Sequence, residues 1–489
     1  MKRYIFPLLV IGILLIGAIP RAIELLSGNH LFLFDQGAYY QAVKDIVVNK
    51  HPTLIGMEVG GIGGFFQGPG FYYLLIIPFV LFGGNPNGGM VLMFIMGILT
   101  ILLVPILFKN SLGERTSLLI ALFIAASVGV VYQSRFIWPP FLIAPVAVLF
   151  LYFVFLAYRG KSVGLPLAAF TLGLMSHFEI ATAVTFGAST FLTLLLVRPK
   201  GIFRLKTTLA SVFLLIVTQL PLILFDLRHD FLNVRGIIRF ATYSSGELQY
   251  SFANHLDVFK DALLSVSGEL WIVGVLSLIS AVGLIQLFKD KKTESELKKF
   301  VLFLVLNPLI LFVLMLPLKS MLWAWWFLEL PIIFCFIAGI SFAYLSRQRK
   351  QRILVIVALL LFLTMFARQT LTWYRNDFND YGGGAKIKGK IDAIDFVYKD
   401  ANSRDFNLLV FTPPVYTYAY DYLLWWYGER EYGYIPGKEK KGSFYLIIEP
   451  DPEKPWSYEG WLETVIKTGE IEKTVTRPSG TIIQKRIAY

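Results

Sequence analysis

Long apolar runs follow one another along the first 370 residues of the chain. A run of about 18 or more apolar residues can cross a hydrocarbon core roughly 30 Å thick. Within lipid such a run must be helical, because every backbone amide has to be bonded inside its own segment. The pattern therefore predicts about eleven membrane-spanning helices, at residues 4–26, 89–108, 116–132, 138–158, 162–177, 180–197, 207–226, 269–288, 300–317, 324–345 and 353–370.

One apolar run, residues 71–82 (FYYLLIIPFVLF), is short for a crossing and contains Pro78. Proline disfavours a regular helix interior. We therefore predict a helix that lies in the outer interface and does not span. A count of eleven spans places the N-terminus and the chain after residue 370 on opposite sides of the membrane. The competing count of twelve would place them on the same side.

The loops between the runs are of two kinds, and the two kinds alternate. Loops rich in Lys and Arg lie at 109–115, 159–161, 198–206, 289–299 and 347–352, and loops poor in them lie at 27–88, 133–137, 177–179, 227–268 and 318–323. The positive-inside rule places the basic loops in the cytoplasm. We expect a multi-pass plasma-membrane protein with a cytoplasmic N-terminus, retained as a signal anchor, and an extracytoplasmic C-terminal tail.

Composition agrees with this topology. The 489 residues are 56% hydrophobic and 16% charged, with a net charge of +12. Because the basic residues lie in the short loops, the charge reflects topology, and no nucleic-acid partner is expected. Cys335 is the one cysteine, which gives neither a disulfide framework nor a metal cluster.

Residues 371–489 differ from the rest, with more charge and alternating patterns. We predict a helix at 391–399, strands at 407–412 and 444–449, an aromatic helix or strand at 416–427, and a hairpin at 472–487 around residues 478–480. The chain thus divides into a transmembrane domain, 1–370, and a small extracytoplasmic α/β domain, 371–489. This second domain contacts the acceptor or caps the transmembrane part, and both readings stay open.

Ionisable residues near the membrane are distributed on one side. Glu24, Glu179, Asp226, Glu269 and Glu329 fall near the outer ends of the predicted spans, with His177 and Arg135 at the same level. Such residues are candidates for function. The pattern indicates a polar cavity that opens to the outer face, although each residue alone also fits a helix end that meets water.

The first outer loop, residues 27–88, holds the most specific signal. Asp35 opens an amphipathic pattern (Ala38, Tyr39, Ala42, Val43, Ile46, Val47) that predicts an interfacial helix, for which Asp35 is a functional group or simply the N-cap. Seven glycines follow, at positions 56, 60, 61, 63, 64, 68 and 70. Glycine lets a backbone approach a ligand closely. The loop does not match the GxxxxGK[ST] pattern of nucleotide-binding loops.

These motifs resemble the GT-C glycosyltransferases, and most closely family 39, which includes protein O-mannosyltransferases and aminoarabinose-type lipid transferases. The resemblance rests on Asp35, Tyr39-Tyr40, GPGFYYLLIIPFVLFGGNP (68–86), SRFIWPPFL (134–142), QLPLILFDLRHDFLN (219–233) and the Trp-rich stretch 319–331. The chain departs from the family in having Asp35-Gln36 where mannosyltransferases have Asp-Glu. It also lacks a second acidic motif, with Tyr132, Arg135 and Trp138 in that loop. No cofactor is certain, and a divalent metal is left open.

The resemblance implies a hexosyl- or pentosyltransferase that moves a sugar from a polyprenyl-phosphate donor to a lipid, glycan or protein acceptor at the outer face. A hydroxyl acceptor needs a base, for which Asp35 and then Glu58 are the candidates. The leaving phosphate needs cations. The candidates for it are Arg135, Arg228, His229 and Lys319, and the candidates for sugar or acceptor contacts are Tyr39, Tyr40, His177, Glu179, Trp323 and Trp326.

Other interpretations of the same residues remain. Interfacial aromatic belts occur in any membrane protein, Arg228 and Lys319 fit snorkelling cations, and His177 with Glu179 fits a polar helix turn. A transporter or lipid flippase is the main alternative function. It is disfavoured because the mid-span positions are almost purely apolar and no internal repeat is seen. A polysaccharide polymerase or ligase shares the donor and location and stays open.

Overall fold

The computed structural model describes residues 2–59, 63–199, 204–243, 252–318, 322–402, 406–413, 415–451 and 453–488. The α-helices are α1 (Lys2–Arg21), α2 (Ile23–Ser27), α3 (Phe34–Val47), α4 (Gly70–Leu81), α5 (Asn87–Leu112), α6 (Glu114–Ala126), α7 (Val128–Tyr132), α8 (Ile143–Tyr158), α9 (Gly164–Met175), α10 (Ile180–Leu196), α11 (Leu205–Arg228), α12 (Leu232–Tyr243), α13 (Phe252–Leu264), α14 (Leu270–Lys289), α15 (Ser295–Met315), α16 (Leu330–Leu345), α17 (Arg349–Asp377), α18 (Ile387–Ala401), α19 (Tyr418–Leu423), α20 (Glu429–Tyr432) and α21 (Ser457–Trp461).

Eight helices within the described ranges are long and apolar enough to cross a membrane. They are Tyr4–Arg21, Asn87–Leu112, Pro139–Tyr158, Leu205–Arg228, Leu270–Lys289, Ser295–Met315, Ala324–Leu345 and Arg349–Asp377. The three other predicted spans correspond to shorter helices, α6, α9 and α10, of 13, 12 and 17 residues. The polytopic, mostly helical architecture is confirmed, and the count of eleven stays a prediction.

Four further helices lie in the segments 27–88 and 227–268. The two predicted in the first loop are present as α3 and α4, and α4 contains Pro78. The other two, α12 and α13, lie in residues 227–268, where the sequence indicated only a loop. Apolar Val234, Ile237 and Ile238 alternate there with Arg235 and Arg239, so α12 is too polar to register as an apolar run.

The C-terminal part is a four-stranded sheet with helices packed on it. The strands are β1 (Asn407–Phe411), β2 (Gly442–Ile448), β3 (Glu470–Thr476) and β4 (Ile482–Ala488), in the order β1-β2-β4-β3. The β1–β2 pair is parallel, the two others are antiparallel, and β3–β4 is the predicted hairpin. Both faces of β2 are buried, because helices cover the sheet on each side. The predicted aromatic segment 416–427 is helical, as α19 and a π-helical turn, Leu424–Gly428.

The C-terminal domain is docked on the first loop. Phe32 donates its backbone N–H to Ala385 O at 2.9 Å, and Trp426 donates its indole N–H to Gly83 O at 3.0 Å. A Cβ placed at Gly37 would lie 2.3 Å from the backbone nitrogen of Ala419, so α3 and α19 touch through their backbones. We call this end of the helix bundle, which carries α3, α4 and the C-terminal domain, the loop end.

Candidate active site

Asp35 lies in the first turn of α3, at the loop end. The N-cap of α3 is Leu33, whose N–H is bonded by the Gln36 side chain at 2.9 Å, so capping does not account for Asp35. Within the described ranges the structure gives the Asp35 carboxylate no hydrogen-bond or ion-pair partner. Burial raises the pKa of Asp35 to about 6. A carboxylate with this pKa is ionised at neutral pH and can accept a proton.

Tyr39 follows Asp35 by one helical turn and faces the same side of α3. It is buried, with its ring 5.2 Å from that of Phe71 and 6.3 Å from that of Tyr72. Burial raises the pKa of Tyr39, and the charges of Asp35, Tyr72 and Glu179 raise it further, while a hydrogen bond with Trp138 acts in the opposite direction. Asp35 and Glu179 therefore both lie within electrostatic reach of Tyr39.

Glu179 is the N-cap of α10 and accepts a bond from the Ala181 N–H at 3.2 Å. Only 6% of the residue is exposed, and burial raises its pKa to about 7. One turn further along α10, Thr182 donates to Trp326 O at 3.0 Å. This bond ties the Trp-rich segment to the same end of α10 as Glu179.

The Trp-rich segment forms an aromatic cluster. Trp323 and Trp325 are stacked with ring centroids 4.6 Å apart, and Trp325 lies 5.6 Å from Trp138. Trp323 is 37% exposed, whereas Trp326 is half-buried and packs against the core. Trp138 also lies close enough to Tyr39 to affect its pKa, so the cluster extends toward the Asp35–Tyr39 side of α3.

Tyr40 has different surroundings from Tyr39. Its ring is fully buried, 5.0 Å from that of Tyr422 in the C-terminal domain. Its hydroxyl donates to Pro86 O at 3.0 Å and accepts from the Gly89 N–H at 2.9 Å. Tyr40 therefore holds the first loop to the C-terminal domain, and the structure does not bring it together with Asp35.

His177 connects three segments at the loop end. Its Nδ1 accepts a bond from the Gly70 N–H at 3.2 Å, and its Nε2 is 2.7 Å from Thr218 O. Since a carbonyl only accepts, Nε2 carries the proton and the ring is neutral. Burial lowers the pKa of His177, which favours this form. A Cβ at Gly68 would lie 2.3 Å from the His177 ring. Glycine at this position of the first loop therefore leaves room for the ring to pack against the loop.

Glu58, the second carboxylate predicted in the first loop, is exposed and accepts a bond from the Gly64 N–H at 2.6 Å. No interaction with Asp35 is seen in the described ranges, so the structure does not pair the two carboxylates. Gly60 and Gly61 lie outside the described residues.

The predicted phosphate-binding cations differ in burial and in their bonding partners. Arg135 is buried and bonded to Glu24 through Nε at 2.9 Å and to Asp377 at 2.7 Å. Arg228 is exposed at the end of α11. His229 caps that helix, with Nδ1 2.8 Å from Phe225 O. Lys319 lies outside the described residues.

Solved structures of other proteins share this architecture. A crystal structure of ArnT from Cupriavidus metallidurans bound to undecaprenyl phosphate matches with a TM-score of 0.67, 12% identity, and coverage of 98% of both chains. The apo form of that protein matches with a TM-score of 0.65, 12% identity, and coverage of 100% of this chain and 99% of the other. The chain has the fold of ArnT. The GT-C-like fold expected from the resemblance is thereby confirmed.

Other comparisons add less. An oligosaccharyltransferase from Archaeoglobus fulgidus matches with a TM-score of 0.47 and 14% identity, covering 81% of this chain and 60% of the other. No protein-family model matches the chain. No curated protein matches it either.

Within this ArnT-like fold, sequence reasoning missed two side chains of the candidate site, Tyr72 close to Asp35 and Trp325 in the aromatic cluster. Tyr72 lies within the apolar run 71–82, and Trp325 has no sequence feature that distinguishes it from Trp323 and Trp326. Both are found only by folding, because they lie 37 and 290 residues from Asp35 in the sequence. The described part of the chain contains no group of three or more His, Cys, Asp or Glu side chains placed to hold a metal ion.

Proposed function

We propose that this protein is a membrane glycosyltransferase that moves a sugar from a polyprenyl-phosphate donor to a hydroxyl acceptor, with Asp35 as the base. The observation that carries the proposal is the Asp35 carboxylate, unpaired among the described residues and raised in pKa, close to Tyr39 and Tyr72 in an ArnT-like fold. The donor class is supported by the matched ArnT structure, whose bound molecule is undecaprenyl phosphate.

The chemistry follows from what each group can do. The acceptor hydroxyl attacks the anomeric carbon, a carbon–oxygen bond to the acceptor forms, and the bond from that carbon to the phosphate oxygen breaks. The hydroxyl proton goes to Asp35, and the polyprenyl phosphate leaves with the electron pair. Glu179, with a pKa of about 7, is partly protonated at neutral pH and can hydrogen-bond a sugar hydroxyl. The exposed face of Trp323 provides an apolar surface for the sugar ring.

The leaving phosphate needs a cation that is not already neutralised. Arg135 is bonded to two carboxylates, so we assign it a structural role and not a role in binding phosphate. Arg228 and His229 remain the phosphate candidates within the described ranges, at the loop end of α11. We further propose that the loop end faces the extracytoplasmic side, with a cytoplasmic N-terminus, a catalytic domain of residues 1–370 and a second domain of residues 371–489.

A transfer assay in proteoliposomes tests the proposal. The purified protein is given radiolabelled polyprenyl-phosphate hexoses and pentoses with a panel of glycolipid and Ser/Thr-peptide acceptors. We expect Asp35→Asn to lower the transfer rate by about two to four orders of magnitude, the usual contribution of a general base. Glu58→Gln, which changes an exposed carboxylate of the same loop, is the matched control and should stay within a few-fold of wild type.

Two results would count against the proposal. Equal rates for wild type and Asp35→Asn would remove Asp35 from the base role. Uptake of the labelled lipid across the bilayer without any sugar transfer would indicate a transporter or flippase instead.

A further inference from the structure

An apolar slot enters the helix bundle between α14 and α15. The two helices follow each other in the chain, yet α14 packs mainly on α16 and α15 mainly on α10, so a gap is left between them. The gap encloses about 600 Å³, within the range of roughly 300–1,000 Å³ that is typical of ligand sites. Its walls include Leu276 and Leu284 of α14 and Pro308 and Phe312 of α15, and Ile337 of α16 closes its back.

The slot opens sideways, toward the lipid. Ser277 and Ala281 of α14 and Leu309 of α15 belong to its lining and are exposed. Both helices are among those long and apolar enough to span the membrane, so the opening faces hydrocarbon and not water. A polar ligand would lose its hydrogen bonds in such a space. The occupant is therefore a hydrocarbon chain.

The depth of the slot matches one leaflet of a bilayer. Its lining follows α14 from Val273, near the end of the helix that adjoins α13, to Leu284. At a rise of 1.5 Å per residue this stretch of helix is about 16 Å long. The hydrocarbon core is roughly 30 Å thick, so one leaflet accounts for about 15 Å of it. An acyl chain of a bilayer lipid fits this depth, whereas a polyprenyl chain of many isoprene units is longer.

The helix α13 lies across the mouth of the slot and supplies its charges. Lys260 belongs to the lining, and its ammonium pairs with the Asp257 carboxylate at 3.0 Å. The next residue, Asp261, is exposed and lies within electrostatic reach of Lys260. The mouth thus carries one positive and two negative charges. A headgroup with both a phosphate and a primary ammonium is complementary to this set.

We propose that the slot binds one acyl chain of a zwitterionic aminophospholipid, with the headgroup phosphate at Lys260 and the headgroup ammonium at Asp257 and Asp261. The apolar walls and the leaflet depth select the chain, and the mixed charges at the mouth select the headgroup. A polyprenyl phosphate fits less well, because it has no ammonium to offset the two carboxylates. The inference goes beyond the proposed function and does not depend on it.

Binding at the slot acts on the Trp-rich segment through α13. The backbone N–H of Leu322 donates to Asn254 Oδ1 at 2.9 Å. Further along α13, Phe259 belongs to the lining of the slot, and its ring lies 5.2 Å from that of Phe327. The bound chain therefore packs against the helix that holds the Trp-rich segment, so its loss should lower the stability of the folded protein.

Native mass spectrometry of the full-length protein released from nanodiscs tests the headgroup. The nanodiscs contain phosphatidylethanolamine, phosphatidylcholine, phosphatidylglycerol and polyprenyl phosphate in equal proportions. We expect the wild type to retain phosphatidylethanolamine over phosphatidylglycerol by roughly five-fold, the effect of about one charge at a membrane surface. In the double variant Asp257→Asn/Asp261→Asn, Lys260 is left without its opposing carboxylates, and the preference should turn to phosphatidylglycerol.

A slot-filling variant tests the chain. Ala281→Phe places a ring in the slot and should abolish the preference for phosphatidylethanolamine. The matched control is Val282→Phe, which adds the same ring at the next residue, 40% exposed and not part of the lining, and should bind lipid as the wild type does. Because a ligand of the folded state stabilises it, the wild type should melt higher with phosphatidylethanolamine than with phosphatidylcholine, and Ala281→Phe should not.

Three outcomes would overturn the inference. Equal retention of the three phospholipids by the wild type would remove the headgroup site, and a preference that survives in Ala281→Phe would place the lipid elsewhere. Retention of polyprenyl phosphate ahead of phosphatidylethanolamine, lost in Ala281→Phe, would assign the slot to the donor chain. None of these results bears on Asp35, which the transfer assay tests separately.

Discussion

The Asp35 carboxylate costs the folded state stability at neutral pH. Its pKa rises from 3.8 in the unfolded chain to about 6 through burial. A raised carboxyl pKa contributes stability that is present below about pH 4 and is lost as the pH rises through 6. Above pH 6 the ionised group therefore destabilises the fold by about 3 kcal/mol, the equivalent of a shift of roughly two pKa units.

From this we expect Asp35→Asn to melt a few degrees above wild type at pH 8, although the variant loses activity. The gain should shrink toward pH 4, where the wild-type carboxyl is neutral too. Thermal melting in one detergent across pH 4–8 measures it, with Glu58→Gln as the exposed control. A variant that melts below wild type at pH 8 would contradict the assignment of a buried carboxylate without a partner among the described residues.

The same pKa predicts the acid side of the transfer reaction. Only ionised Asp35 can accept the acceptor proton, so kcat/KM for transfer should rise with pH and level off above about pH 6. Glu179, with its pKa of about 7, is a separate group. In Glu179→Gln the rise near pH 6 should persist. Loss of that rise in this variant would assign the acid limb to Glu179 and not to Asp35.

At the scale of elements, a buried ion-pair network fixes the loop that contacts the first turn of α3. Arg135 joins Glu24 of α2 to Asp377 at the end of α17, and its guanidinium lies 4.7 Å from the Trp373 ring. Two residues further on, Ile137 O accepts a bond from the Gln36 side chain at 2.9 Å. The loop that Arg135 anchors therefore positions the first turn of α3.

Arg135→Gln should accordingly act on stability first. Removing one partner of a buried pair typically costs about 3–5 kcal/mol, because the remaining charges stay buried. Melting temperature and donor KM are measured together, with Arg159→Gln as control. Arg159 pairs with Glu294 at 2.9 Å at the surface, where a pair contributes at most about 1 kcal/mol.

The double variant Glu24→Gln/Arg135→Gln distinguishes this role from phosphate binding. Because it leaves fewer unpaired charges, it should recover part of the lost melting temperature. A normal melting temperature in Arg135→Gln together with a large rise in donor KM would instead support the phosphate-binding role first expected for this residue.

Sequence periodicity predicted the elements that depend on local pattern. The helices α3 and α4 and the hairpin around residues 478–480 are found where their patterns indicated. The contacts between elements were not predictable in this way. Arg135 meets Glu24 and Asp377 across 111 and 242 residues of sequence, and no spacing rule links them. The helix α12 was not predictable either, because its apolar and basic residues alternate and its mean hydropathy is that of a loop.

For the whole molecule, the decisive feature is that the C-terminal domain packs directly against the loop end of the helix bundle, where Asp35 lies. Leu31 and Lys386 form a β-bridge, and Tyr40 packs on Tyr422. This contact also places Asp35 and the chain after α17 at the same end of the helix bundle, and so on the same side of the membrane. The compartment on that side remains part of our proposal.

Gly37 tests whether this docking is needed for activity. A Cβ at this position would lie 2.3 Å from the Ala419 nitrogen, and that atom is backbone, so no side chain can rotate away. Gly37→Ala should therefore push α19 off α3 at a cost of about 1–3 kcal/mol, even though alanine is the better helix former. We expect faster tryptic release of the C-terminal domain, followed by mass spectrometry, and a transfer rate well below wild type. Gly274→Ala, in α14 with nothing within 4 Å of the new Cβ, should match wild type in both measurements. If Gly37→Ala released the domain but kept full transfer, the C-terminal domain would be a cap on the bundle and not a wall of the active site.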